Sequence, residues 1–214
     1  FIEIIEIAIE SKEYPQKLKN INNPPLKLYV LGDKSILNNH GIAIVGTREC
    51  TKYGKRISFE FSQELSLKGF NIISGLAIGI DEYAHWGNVQ ANFQNKIAGK
   101  TIAVLGSGID MLYPAQNKEL ARKIIKTGGC IISEYSNGTR PNKTNFPQRN
   151  RIISGLAEAV LVVEAGEKSG AIITANYALE QGKDVFAIPG DITRETSLGT
   201  NKLIQDGAMI ALNV

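Results

Sequence analysis

The sequence predicts an α/β protein with a mostly parallel, doubly wound sheet covered by helices on both faces, and three observations lead there. Short apolar, β-branched runs recur along the chain: "IAIVG" (42–46), "NIISG" (71–75), "TIAVLG" (101–106), "CIISE" (130–134), "AVLVVEA" (159–165) and "DVFAIPG" (184–190). Such near-continuous apolar strands are buried on both faces, and the helical patterns between them match parallel strands joined by crossovers. Several runs end in glycine, placing turns at the carboxyl ends of the strands, the edge where open α/β sheets bind ligands. Those glycines are equally consistent with plain turns, so alone they mark no site.

The first forty residues carry Pro15, Pro24, Pro25 and a short "LKLYVLG". They read as an extension (1–40) packed on a core domain (41–214). After the first core strand comes "GTR", with Arg48 where a nucleotide-binding loop usually places another glycine. Ile57, Phe61 and Leu65 then share one helical face, as do Leu120, Ile124 and, one step round, Ile125. Asp81, Asp110 and Glu164 fall near strand ends, where catalytic carboxylates can sit; the plainer reading of Asp81 is a cap on the helix that starts "DEYAHWG". "VLGSGID" is not a dinucleotide fingerprint, because Met111 stands at the third glycine and "YP" follows where a helix should open. "AGKT" (98–101) is not a phosphate loop, since Gln94 replaces its first glycine. A terminal "MIALN" (209–213) adds one more candidate strand.

Composition narrows the class. The chain has 214 residues, 43% apolar and 21% charged, and a formal charge of +3, all ordinary for one globular domain. So small an excess permits an acidic partner without demanding one. Cys50 and Cys130 are far apart and form no metal or disulfide pattern, which reads as reduced and structural, and His40 and His85 are isolated. No metal and no cofactor are expected. "FIEIIEIAIE" is apolar but acidic, unlike a secretory leader, and no run approaches membrane-spanning length, so a cytoplasmic protein without membrane contact is expected. "NGT" at Asn137 and "NKT" at Asn142 are then chance matches to glycosylation acceptors.

Two segments carry candidate chemistry. From Tyr135 to Ala157 there is no acidic side chain, while Lys143, Arg140, Arg149 and Arg151 are present with Asn145, Phe146 and Asn150. A basic segment with an aromatic in it suits a polynucleotide: cations track phosphates and the ring offers a stacking face. The bland alternative is a solvated basic loop anchored by Phe146. If "PQRNRIISGLAEA" starts a helix, Arg149 aligns with Ile152, Ile153 and Leu156, over the sheet edge. Arg151 aligns with Ser154, Gly155 and Glu158, nearer to solvent or a neighbouring chain. In "EAGEKSGAIITANYALEQG", Ser169 and Gly170 open a long helix whose amides can face an anion, or Ser169 simply caps it.

"AIVGTR", "SGLAIGID", "AVLGSGIDMLYP", "NFPQRNRIISGLAEAVLVVEA", "SGAIITANYALEQGKDVFAIPG" and "GTNKLIQDGA" occur in the order and spacing of a known family. The chain resembles the DNA-processing protein A family, also called DprA or Smf, from about residue 24 to about residue 212. "YPQKLKNINNPPLKLYVLGD" is also similar to the segment that precedes the core in that family. The resemblance implies an extended Rossmann-like domain that binds single-stranded DNA without sequence preference, usually as a homodimer, and no catalysis. It also implies a part in natural transformation: protecting incoming DNA and helping to load the RecA recombinase onto strands coated by single-strand-binding protein. Carried over by position, the phosphate pocket uses Gly46, Thr47 and Arg48, then Gly106, Ser107 and Gly108, then Ser169 and Gly170. "NFPQRNR" contributes Asn145, Phe146, Arg149, Asn150 and Arg151, and charge and position add Lys143 and Lys118. Many relatives carry a C-terminal winged helix, of which this sequence shows no sign.

Two other readings have distinct signatures. A nucleotide hydrolase of the phosphoribohydrolase type shares the fold class, but its "PGGxGTxxE" loop is broken here by "IPGDITRETSLGT" after Gly190. A protein-interaction module would use the basic loop to meet an acidic partner, which added single strands would displace only if the two surfaces overlap.

Overall fold

The computed structural model describes residues 3–214. The chain runs β1 (Ile4–Ala8), α1 (Gln16–Lys19), β2 (Lys27–Gly32), β3 (Gly41–Val45), α2 (Lys52–Leu67), β4 (Asn71–Ser74), α3 (Ile80–Gln94) and β5 (Thr101–Leu105). It continues through α4 (Lys118–Lys126), β6 (Cys130–Ser133), α5 (Asn145–Leu156), β7 (Ala159–Val162), α6 (Gly170–Glu180), β8 (Asp184–Ala187), α7 (Glu195–Gln205) and β9 (Met209–Ile210). The strands form one sheet in the order β1-β2-β6-β5-β4-β3-β7-β8-β9. β3 to β9 pair in parallel, while β2 lies antiparallel to both β1 and β6. This is the doubly wound, mostly parallel α/β sheet that the apolar runs predicted, and it is Rossmann-like, as the resemblance implied.

Alternation along the strands divides the core. Ala43, Val45, Val104, Ile132, Val160 and Val162 face Ile152, Ile153 and Leu156 of α5 and Ala171, Ala175 and Ala178 of α6. Ile44, Ile72, Leu161 and Val163 face the opposite way, toward Ile80 and Ala84 of α3 and the partly buried Ile57, Phe61 and Leu65 of α2. Within residues 3–40, Tyr14, Leu18, Leu28 and Val30 join the first layer fully buried, the Tyr14 hydroxyl donates to Pro25 O at 2.7 Å, and Ile4, Tyr29 and Leu31 pack on a separate apolar cluster with Leu105, Leu120 and Ile124. Gly155 makes room for Leu18, since a Cβ there would lie 2.6 Å from Leu18 Cδ2.

The structure differs from the sequence reading in four places. Beside the face of α2 that carries Ile57, Phe61 and Leu65, which packs on the core as its spacing predicts, runs a fully buried stripe the sequence reading did not name: Gly54, Ser58, Ser62 and Ser66. Small side chains let α2 approach α3 closely, with Ser58 Oγ donating to Ile80 O (2.8 Å) and Ser62 Oγ to Ala84 O. Asp81 is not the cap of α3: Gly79 occupies that position, and Asp81 sits in the first turn, where its carboxylate accepts from Gly75 N at 3.1 Å. "NFPQRNR" is helical from Asn145 onward, because Pro147 falls in the first turn, where its missing N–H costs no bond. Arg151 does not face solvent or a neighbouring chain. It is 7% exposed, makes two 2.7 Å bonds to the Glu134 carboxylate and donates from Nε to Asn23 O at 2.9 Å, tying the N-terminal segment to the end of β6.

Candidate functional site

Chain order along the sheet reverses between β3 and β7: β3 leads to β4, β5 and β6 on one side, and β7 leads to β8 and β9 on the other. In an open parallel sheet the loops leaving such a pair of strands part in opposite directions and leave a crevice. A cavity of about 880 Å³ opens there. Its walls include Gly46, Thr47 and Arg48 after β3, residues 166–171 after β7, and Lys143, Phe146, Arg149 and Asn150 around the start of α5.

The first loop is held by its backbone. Thr47 N donates to Glu164 O (2.7 Å), and Thr47 O accepts from Ile80 N (3.2 Å). Gly79, at φ +83°, passes so close that a Cβ would lie 2.5 Å from Thr47 O and 2.6 Å from Arg48 O. The Glu164 side chain is 2% exposed and binds Thr51 N (2.8 Å) and Thr51 Oγ1 (2.6 Å), so this carboxylate anchors the start of α2. With the loop fixed, the Arg48 side chain stands exposed, its guanidinium carbon 5.3 Å from the centre of the Phe146 ring.

Arg149 lies over the sheet edge, as its helical position predicts, and is 4% exposed. Its Nη1 donates to Gly75 O at 2.7 Å and to Val104 O, bridging the ends of β4 and β5. Burial, opposed by Asp81 and assisted by the Arg48 charge, lowers its pKa to about 10, still charged at neutral pH. Asp81 also lines the cavity, and burial raises its pKa against the pull of Arg149. Across the cavity Ser169 caps α6, its hydroxyl accepting from Ala171 N (3.3 Å), while Asn150 Nδ2 donates to Gly170 O (3.2 Å) and joins α5 to that helix start. The first turn of α6, which lines the cavity through Ser169, Gly170 and Ala171, presents a positive dipole end to it.

One cavity wall thus unites Gly46, Thr47, Arg48, Lys143, Phe146, Arg149, Asn150, Ser169 and Gly170. Gly106, Ser107, Gly108, Asn145, Arg151 and Lys118 are not part of that wall. The loop after β5 turns inward instead. Ser107 is 1% exposed with its hydroxyl on Met111 O (3.0 Å), Gly108 N donates to Thr139 O (2.9 Å), and Gly106 receives the Phe146 ring. Asn145 Nδ2 donates to Gly106 O (3.2 Å). Lys118 is exposed at the start of α4. Asp110 accepts from Gly138 N with both oxygens at 2.9 Å, bracing the same loop.

Sequence reasoning missed Tyr113, Lys168, Thr174, Glu167 and Glu195, all of which line the cavity. Tyr113 stands in "MLYP", read only as the break in a dinucleotide motif, yet it is 46% exposed beside Phe146. Glu195 opens α7 after β8, another strand-end loop whose position was the available signal. Among the described residues no group of three or more His, Cys, Asp or Glu is placed to hold a metal ion.

A doubly wound sheet with an aromatic-edged cavity at its switch point, lined by Arg48, Lys143, Arg149 and Lys168 together with Glu49, Asp81, Glu167 and Glu195, is the architecture of α/β proteins that bind a ligand at the strand ends. More narrowly, the chain belongs to the family described as DNA recombination-mediator protein A, which it matches over residues 6–214. It is 45% identical over 203 residues to the DNA processing protein DprA of Bacillus subtilis, covering 94% of this chain and 66% of that protein. Protein Smf of Escherichia coli is 42% identical over 204 residues, covering 95% of this chain and 53% of Smf. The chain therefore spans between half and two-thirds of these relatives. Among solved structures, DNA processing protein A of Streptococcus pneumoniae superposes with a TM-score of 0.88 at 40% identity, over 98% of this chain and 71% of that one. The Helicobacter pylori protein, described by its single-stranded DNA binding mode, gives 0.84 at 30% identity, over 97% of this chain and 91% of that one.

Proposed function

We propose that this chain binds single-stranded DNA without reading its sequence, holding the backbone at the β3/β7 crevice, and serves recombination rather than catalysis. The observation that carries the reading is that an exposed Arg48, resting on an aromatic, shares one cavity with Lys143 and the first turn of α6. A flexible polyanion matches that set: cations and helix amides meet phosphates, and a planar shelf meets unstacked bases. The single-stranded DNA binding named for the Helicobacter pylori relative supports the same ligand class. Incoming DNA in natural transformation, handed to a RecA recombinase from strands coated by single-strand-binding protein, is the setting that the family resemblance implies.

A homodimer fits this reading. The α7–β9 edge leaves Leu198, Met209, Ile210 and Leu212 exposed at 38%, 42%, 54% and 76%. An unpaired edge strand carrying apolar side chains is a surface that association covers. No described helix is long and apolar enough to cross a membrane.

The test is a titration of fluorescent oligo-dT and of a duplex of equal length across a salt series, with wild type and Arg48→Ala. Single strands bind more tightly than duplex, and the variant loses about 0.7 from the slope of log affinity against log salt, one phosphate contact on a single strand. Equal affinity for both forms, or an unchanged slope, removes the reading.

A further inference from the structure

The cavity lies at the carboxyl ends of β3 and β7, and the opposite edge of the sheet carries a surface that strand binding does not use. There, at the amino ends of β5 and β6, the segment 93–100 that joins α3 to β5 meets the last turn of α4 and the turn that follows it. A five-residue strand, about 16 Å long, separates this edge from the carboxyl edge. Two large apolar side chains stand in water on it: Phe93 is 57% exposed and Ile97 87%. The loop that carries Ile97 is nonetheless fixed. Asn95 Oδ1 accepts from Ile97 N (3.1 Å), the Asn88 and Asn92 amides donate to Gly99 O (2.8 and 2.9 Å), and Lys100 Nζ donates to Lys96 O (2.7 Å).

Cations surround the pair. Lys123 Nζ lies 5.9 Å from the centre of the Phe93 ring, and Lys100 Cε runs 3.5 Å from where a Cβ on Gly128 would stand, so the loop and the end of α4 form one surface. Lys96 and Lys126 are exposed on it. The carboxylates here are Glu119, shared between Arg122 (3.6 Å) and Lys123 (3.8 Å), and Asp33, whose charge acts on Lys100. They are fewer than the cations, and the edge keeps a positive excess.

We propose that this edge is a docking surface for an acidic peptide segment of a partner protein, which seats an apolar side chain against Phe93 and Ile97 and its carboxylates on Lys96, Lys100, Lys123 and Lys126. An apolar centre inside a charged rim is the anatomy of a protein interface. The chemistry also separates this occupant from a polynucleotide: an isoleucine offers no plane on which a base can stack, whereas an apolar peptide side chain buries against isoleucine and ring alike. A loop already held in place loses little freedom when the partner arrives, and the lysines draw an acidic segment toward it. The surface is distinct from the basic segment 135–157. Because it lies on the far edge from the cavity, one molecule can hold its partner and a strand together.

The test is fluorescence anisotropy of the full chain with a short labelled peptide of aspartates around a central phenylalanine and leucine. One control peptide has asparagine for every aspartate, and another has serine for both apolar residues. Wild type binds the acidic peptide and binds each control at least about tenfold more weakly. Phe93→Ser and the double variant Lys96→Ala, Lys126→Ala each weaken the acidic peptide about tenfold, with an unchanged thermal melt and oligo-dT affinity within about twofold of wild type. Arg48→Ala leaves peptide affinity as it was. The assignment is overturned if wild type does not bind the peptide, if the folded edge variants bind it as wild type does, or if Arg48→Ala weakens it equally, which would place the peptide in the cavity. Loss of oligo-dT binding in the edge variants would make the edge a strand path. Sedimentation with phosphatidylglycerol vesicles that is lost in those variants while peptide binding stays would make it a lipid surface, and either result overturns the proposal. Wild type that binds the peptide but not oligo-dT removes the strand-binding reading and leaves this one standing.

Discussion

Two glycine loops leave neighbouring parts of the same sheet edge and do opposite things. The loop after β3, Gly46-Thr47-Arg48, closes its backbone bonds onto Glu164 and Ile80 and leaves a charged side chain in the cavity. The loop after β5, Gly106-Ser107-Gly108, is richer in glycine, yet its Ser107 hydroxyl donates to Met111 O, its Gly108 N donates to Thr139 O, and its open surface is filled by Phe146. One loop presents the arginine proposed to meet the ligand; the other supports the ring beneath that arginine. Position decides this: β3 borders the switch point beside β7, whereas β5 lies two strands away under α5. Glycine at a strand end therefore reports close approach of backbone to something, and only the neighbours say whether that something is ligand or protein.

Substitutions can break this contrast, beginning with the residue that links both halves. Arg149→Ala removes a buried cation bonded to the ends of β4 and β5 and leaves Asp81 without its counter-charge, so urea denaturation should show a loss of about 3–5 kcal/mol. An undiminished unfolding midpoint would mean that the cation is not what joins the two strand ends. Gly106→Ala drives a methyl into the Phe146 ring, costing about 1–3 kcal/mol of stability and weakening strand binding through the displaced shelf. Gly170→Ala is its control: a Cβ there meets nothing within 4 Å, so the thermal melt should not fall. If both glycine variants melt alike, the supporting role of the β5 loop is wrong. Arg48→Ala touches no core contact and should leave stability within about 0.5 kcal/mol while affinity becomes less salt-dependent. The smallest expected effect belongs to Lys118→Ala, which lies outside the cavity wall and should move neither melt nor affinity. A clear loss of oligo-dT binding in that variant would extend the strand path past α4.

Much of this was legible along the chain, for local reasons. Strands such as 101–105 and 159–162 read clearly because both of their faces are buried and their composition is correspondingly apolar. Arg149 was placed over the sheet edge by helical spacing alone. The same spacing put Arg151 toward solvent, because periodicity assigns a face without knowing what covers it; here the N-terminal segment does, through Asn23, together with Glu134. The serine stripe of α2 was hidden for a related reason, since small polar residues look like a solvent face until a second helix comes close enough to accept from them.

By itself, the sequence determined the strands of the core from 41 onward, the crossover helices, the charge-biased segment 135–157 and the identity of each loop at the carboxyl edge, all of which follow from local periodicity and composition, whereas β1 was not read as a strand of the sheet. Tertiary structure alone decided which loops share a cavity, which arginine reaches it and which aromatic remains open. Those outcomes depend on the order β4-β3-β7 and on contacts between residues a hundred positions apart, and no local pattern carries that information.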